Sequence, residues 1–364
     1  VVAPDFLNTD VHANRLDRIY GKQSQPKKGR VFVMKISSSV SYAFGVSAAI
    51  LLLAGCSAGG SQSQLAPSGS ILQPSRAGVS GVVIPHPDRR RSWMAPDAKK
   101  KDLLYISDEA TADVYVFSYP KGKLMGTLTG FPEPQGECVD KKGDVFVTNF
   151  GKSVIIEYAH GGTSPIATLS DSGEYIEGCS VDPTTGNLAV VDFEPSSGAG
   201  NGGVAVYAKA KGTPTVYTDP DLLLGYALGY DNKGNIFLDG VNGNRDFEFA
   251  ELPKGSSSFT TIPLSVTINT PGGVQWDGKH VAVGDATGGV IYQTTGAGGK
   301  IVGSTTLTGS DGVFQFFIDR NTVVGPDVFA ANANFWSYPA GGTATKTLTG
   351  FADPFGSAVS KGRK

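Results

Sequence analysis

Residues 134–149, "PQGECVDKKGDVFVTN", read as two short strands around a tight turn: a run opened by Gly136, a polar "DKKG" hairpin, and a second run, "DVFVTN", ending on an amide. The plan returns at residues 177–192 as "EGCSVDPTTGNLAVVD", with Gly178, a "DPTTGN" turn and a run ending on Asp192. Short β-rich runs bounded by Gly, Pro, Asp and Asn are strand signals. Self-similarity at a fixed spacing outranks any single strand, because it sets the architecture.

Working outward, six such runs start at Leu103, Asp144, Asn187, Asn235, Lys279 and Thr322, about 41 to 48 residues apart. That is the period of a four-stranded propeller blade. Each unit continues with a strand rich in Val and aromatics, such as "VYVFSYP" or "NFWSYPAGG", then a Gly or Pro turn and a Thr-rich strand such as "TLTG". The remaining strand, of the "GECVD" type, places Gly136, Gly178, Gly273 and Gly356 four residues before Asp140, Asp182, Asp277 and Ser360. A Gly suits the innermost strand, where blades converge and a side chain would crowd the axis. Two units depart from it, with Ala227 and Gln315 at that position.

The strand order is shifted, since the pattern opens on "LLYISD" and closes on "FGSAVS". The last inner strand should therefore complete the blade begun by the first three. The expectation is an all-β, six-bladed β-propeller over residues 102–362, its ring closed by a C-terminal inner strand joining the three N-terminal strands.

The motifs at 134–149 and 177–192 resemble the P-x-G-x-x-V-D-x-x-G-N-x-Y-V-x-D repeats of NHL/YVTN-like propellers of bacterial envelope proteins, across essentially all of 102–362. The resemblance implies a fold and leaves function open, because propellers host many chemistries and many plain binding surfaces. Composition agrees with a turn-rich β protein: 49 Gly in 364 residues, 18% charged and 40% hydrophobic. A net charge of -2 argues against nucleic acid as a partner, which would need a dense positive face.

Ahead of the repeats, Met34-Lys35 is followed by an apolar or hydroxylated stretch to Leu53, too short and wrongly flanked for a membrane span. The residues that close it, Leu53-Ala54-Gly55-Cys56, resemble the lipobox of bacterial lipoproteins. That resemblance implies cleavage before Cys56, lipid on its thiol and an acyl chain on the new amino terminus. Ser57 in the next position leans towards the outer membrane by the same resemblance. The expected organisation is an upstream extension (1–33) outside the mature protein, a signal peptide (34–55), a flexible tether (56–101) and the propeller. The Arg89–Arg91 and Lys99–Lys101 runs read as solvated linker. The expected location is the bacterial cell envelope, lipid-anchored at the outer membrane or cell surface.

Candidate chemistry is sparse. Asp108, Asn149, Asp192, Asp239, Asp285 and Asp327 recur once per unit, as turn caps do and single sites do not. The position before the inner Gly, expected at a mouth of the channel, holds Gln135 and Glu177, and Asp311 precedes Gly312. Glu177-Gly178 resembles the start of gluconolactonase-like propellers, which implies an oxygen-ligand metal, Ca²⁺ or Mg²⁺, as a low-ranked cofactor beside none at all. The Pro and Trp of that family's motif are absent here. Four scattered histidines make a three-His zinc site improbable, and no nucleophile elbow occurs. Cys138 and Cys179 lie on the inner strands of consecutive units, two and one residues after their glycines. They are either an inter-blade disulfide or two buried small side chains on different faces. The leading functional expectation is a tethered binding or scaffold module for protein, peptide or glycan, without catalysis. The alternative is a metal-dependent lactonase or lyase at the channel mouth.

Overall fold

The computed structural model describes residues 82–83, 91–198 and 200–362. Cys56, the upstream extension and the signal peptide lie outside the described residues. Strands fall into six antiparallel sheets, each led by one inner strand: Pro354–Ser360 (blade 1), Pro134–Val139 (blade 2), Glu174–Val181 (blade 3), Leu222–Tyr230 (blade 4), Pro271–Trp276 (blade 5) and Phe317–Asp319 (blade 6). This is a six-bladed β-propeller. Four antiparallel strands return the chain to the end at which a blade began. All inner strands therefore run the same way, giving the ring a leading end, where they start, and a trailing end, where they finish.

Apolar side chains are buried between blades. Tyr105, Val114, Val147 and Tyr158 join blades 1 and 2, and Phe146, Ile155, Val190 and Tyr207 join blades 2 and 3. Tyr115, Phe117, Phe335 and Leu348 join blade 1 to blade 6 and so seal the ring. The closing strand Pro354–Ser360 pairs with Leu103–Asp108, from Pro354 against Asp108 to Ser360 against Leu103.

The inner-strand glycines have a direct cause. An added Cβ would lie 2.6 Å from the Glu177 carbonyl at Gly136 and 2.8 Å from the Val274 carbonyl at Gly229, while at Gly356 it would collide with the Gln135 carbonyl. Two hydroxyls use the same closeness to clasp neighbouring blades. Ser107 Oγ accepts the Gly356 N–H (2.8 Å) and donates to the Gln135 carbonyl of blade 2. Thr148 Oγ1 accepts the Gly136 N–H (2.8 Å) and donates to the Glu177 carbonyl of blade 3.

The sheets also take in residues ahead of 102. Trp93–Met94 forms a fifth, outer strand on blade 1, paired with Gly126 and Thr127, and Ala98 is fully buried. Val82–Val83 pairs in parallel with Leu348–Thr349 at the outer edge of blade 6. Residues counted as flexible tether thus add edge strands to the two blades on either side of the ring joint. The Lys99–Lys101 run overlaps a 3-10 turn, Ala98–Lys100, and does not extend a loose linker. A third addition, Gly342–Thr343, reaches from blade 6 to pair in parallel with the outer strand of blade 5.

Candidate functional site

A cavity of about 290 Å³ lies on the ring axis. It is lined by Glu137–Val139, Gly178–Val181, Ala227–Tyr230, Gly273–Trp276 and Gln315–Phe317, with Ser357 from the closing strand. These are mainly the later parts of the inner strands, so the cavity belongs to the trailing end. An inner strand pairs on one edge only, which leaves its other edge of N–H and C=O groups facing the axis.

Two side chains define the floor. Gln315 reaches across from blade 6, and a Cβ at Gly136 would stand 3.2 Å from its Nε2. The departure from glycine at 315 is thereby explained: one long amide fills the axial space that glycines in blades 2 and 3 leave free. Glu137 is 6% exposed, and its Oε2 lies 3.5 Å from Ser107 Oγ. Burial holds its carboxyl well above the ordinary range, against the weaker lowering effect of Ser107. Gln315 Nε2 and Glu137 Oε1 have no hydrogen-bond partner among the described residues. Both were missed from sequence. The signal for Gln315 was its break in the glycine pattern; Glu137 directly follows Gly136 and had none.

The structure does not gather the residues expected at a channel mouth around this cavity. Gln135 is fully buried, donating from Nε2 to Glu109 Oε2 at 3.3 Å, and Glu177 is 2% exposed. Both precede their glycines and so sit at the leading end. Asp311 is exposed, in the loop before blade 6's inner strand, with its N–H donating to Asp327 Oδ2 at 2.8 Å. The residue that takes the glycine's place in blade 6 is Gln315, so Phe314, not Asp311, is the counterpart of Glu177. Aromatic pairs cover this end: Phe314 stacks on Phe355 (5.9 Å) and Phe150 on Tyr175 (4.7 Å), while Phe193 meets Tyr226 edge to face (5.3 Å). Tyr226 and Trp336 are 5% and 1% exposed, which makes them packing residues. Among the described residues no three His, Cys, Asp or Glu side chains gather as a metal would require.

Cys138 and Cys179 are joined, with Cα atoms 5.6 Å apart. The one-residue difference in their offsets from Gly136 and Gly178 is what allows it. Neighbouring blades meet through opposite faces, so one cysteine must point forward and its partner back, and alternation along a strand requires unequal offsets.

The recurring aspartates hold the loops that lead into inner strands. Asp108 accepts the Ala352 and Asp353 N–H groups (2.7 and 3.2 Å), Asp327 those of Asp311 and Gly312, and Asp285 that of Asn269. Blade 3 differs, because Asp192 faces a second buried carboxyl, Asp171, beside Tyr207. Burial first, then the charges of Asp171 and Glu174, push Asp192 up to about 9. Burial also raises Asp171, against the lowering effect of its hydrogen bond with Asp192. A raised folded-state value stabilises below the unfolded value, near 4, and that stabilisation is lost as pH rises through the folded one. The melting temperature should therefore fall progressively between about pH 4 and about pH 9, and Asp192→Asn should flatten that part of the decline. A variant whose melting curve declines in parallel with the unaltered chain would contradict this.

No family model matches the chain, and no curated protein sequence does. Solved structures do match in fold. One is a chain of a structure described as "Crystal structure of Nidogen/Laminin Complex", 13% identical, covering 72% of this chain and all of that one, with a TM-score of 0.60. Another is a protein of unknown function from Bacteroides caccae, 11% identical, covering 71% of this chain and 99% of that one, with a TM-score of 0.56. At such identities the likeness concerns the propeller alone.

Proposed function

We propose that this chain is an exported, lipid-anchored propeller that binds a protein, peptide or glycan at the trailing end of its ring. The observation that carries the reading is the axial cavity, with the unpartnered Gln315 Nε2 and the buried Glu137 carboxyl at its floor. Groups of this kind orient a polar ligand group through hydrogen bonds. The fold is compatible with a binding or scaffold role. Export and anchoring rest on the Leu53–Cys56 motif.

The test has two readings in one bacterial strain. Labelled palmitate should enter the protein in the membrane fraction and be absent from a Cys56→Ser variant. Purified protein should gain melting temperature with at least one member of an oligosaccharide and peptide panel, and Gln315→Leu should lose that gain. Unlabelled protein in the cytosol would end the export reading, and a panel without any shift would end the binding reading.

A further inference from the structure

The net charge of -2 conceals a strong separation of charge along the ring axis. At the trailing end, the turns that follow the inner strands carry exposed Lys142, Lys233, Lys279 and Arg320. The turns between third and fourth strands at the same end carry exposed Lys121, Lys209, Lys254 and Lys300. Aspartates are present there too, yet four of them are engaged as turn caps. Asp140, Asp182, Asp231 and Asp277 each accept a backbone N–H two residues on, at 2.7 to 2.8 Å. Their spacing is set by the hairpins; Lys142 Nζ lies 3.7 Å from Asp140 and 4.0 Å from Asp144, and Lys254 Nζ donates to Thr184 Oγ1 at 3.0 Å, while Lys233, Lys279 and Lys300 are exposed. The leading end is the reverse, with Glu109, Glu133, Asp221, Asp311 and Asp353 on its loops and Glu174 opening blade 3's inner strand, against Arg91, Lys152 and Arg245.

The basic end is also the end where the axial cavity lies, and the two features together narrow the ligand. A ring of lysines attracts polyanions and steers them to this face. A buried carboxyl with a partnerless oxygen, an unpartnered amide and free backbone edges at the centre recognise hydroxyl groups rather than a further charge. A flat anionic bilayer would use the lysines and leave the cavity out. A cavity of about 290 Å³ is at the small end for a ligand site, sized for one sugar ring rather than a whole chain. We propose that the trailing end binds an acidic polysaccharide, with one sugar hydroxyl edge in the axial cavity and neighbouring carboxylates or sulfates on the surrounding lysines. This deepens the binding reading above and rests on it.

The experiment is titration calorimetry of the full chain carrying Cys56→Ser against an oligogalacturonate, a neutral malto-oligosaccharide of the same length, phosphatidylglycerol vesicles, duplex DNA and a peptide mixture. The oligogalacturonate should bind saturably and lose affinity at high salt, and the neutral sugar should bind far more weakly. Reversing two exposed charges, Lys233→Glu with Lys279→Glu, should weaken binding about tenfold. Gln315→Leu should weaken it at unchanged salt dependence, since it removes a hydroxyl partner and no charge. Equal binding of the neutral sugar, or binding of vesicles or DNA in place of the oligogalacturonate, overturns the inference. Binding of peptides alone overturns it while the binding-module reading stands, and silence from every probe overturns both. Melting curves of each variant establish that the ring is intact.

Discussion

A chain ending at Ala352 should fail to form a cooperative ring. The segment removed carries the closing strand, Pro354–Ser360, every residue of which is buried. That strand is held by more than its pairing with blade 1. Gly356 N–H donates to Ser107, Ser357 Oγ donates to the Val324 carbonyl of blade 6 (3.3 Å), and Ser360 Oγ donates to the Gly143 carbonyl of blade 2 (2.6 Å). His160 joins the same knot, with Nδ1 2.6 Å from Ser360 Oγ and Nε2 3.0 Å from the Lys101 carbonyl. Burying Phe355 and Val359 stabilises by about 1.5–3 kcal/mol each. Each polar group stranded by the deletion costs a further ~1–3 kcal/mol. Against a net stability of about 5–15 kcal/mol, losses of this number and size leave no folded state. Far-ultraviolet circular dichroism with a thermal ramp decides the matter. A truncated chain melting cooperatively within a few degrees of the full chain would refute it, and partial recovery on adding a peptide of residues 352–362 would confirm that the missing strand is the cause.

Ser360 also shows how much of the closure was readable. Inner strands of blades 2, 3 and 5 end on Asp because a hairpin follows and its N–H groups need a carboxylate, as Asp140, Asp182 and Asp277 provide. At the closing strand Ser stands in that place, its hydroxyl turned to blade 2. Repeat period, blade count and strand order were legible for the same reason: each is repeated, so chance departures in one unit are outvoted by the others. What escaped notice occurs once. A two-residue strand such as Trp93–Met94 has no periodicity to detect, and it is recognisable only from the edge it covers on blade 1. The axial role of Gln315 depends on glycines 179 and 137 positions earlier in the chain, a relation that no local motif carries. Asp311 was misplaced because "DG" before a short inner strand imitates the glycine step of the other units, while the step itself falls at Gln315. The separation of charge was invisible in the total, since turns at one end are basic and loops at the other acidic.

Breaking the Cys138–Cys179 bridge should cost about as much as any single change in the molecule. The bond closes a segment with a sequence separation of 41 residues, which holds the three outer strands of blade 2 and the start of blade 3's inner strand. Constraining a loop of that length in the unfolded chain stabilises the folded one by ~4 kcal/mol in the chain-entropy treatment. Nothing in the folded state competes with that gain, because the two inner strands are already brought together by the glycine step and by the Thr148 clasp across the same pair of blades. The double variant Cys138→Ser, Cys179→Ser should therefore keep its fold and lose ~2–4 kcal/mol in urea unfolding, the lower part of the range reflecting structure retained in the unfolded chain. Cys138→Ala with Cys179→Val separates the bond from the side chains, for it restores apolar packing between blades 2 and 3 without the bridge. If the loss comes from the crosslink, both pairs should unfold at nearly the same urea concentration, and both should match the unaltered chain after reduction. A full return of stability in the Ala–Val pair would instead make the site a packing position whose sulfurs happen to be joined. The bridge also borders the axial cavity, since both cysteines line it. Reduction should accordingly weaken any ligand held there in proportion to how far blades 2 and 3 move apart, while leaving binding to the lysine turns alone untouched.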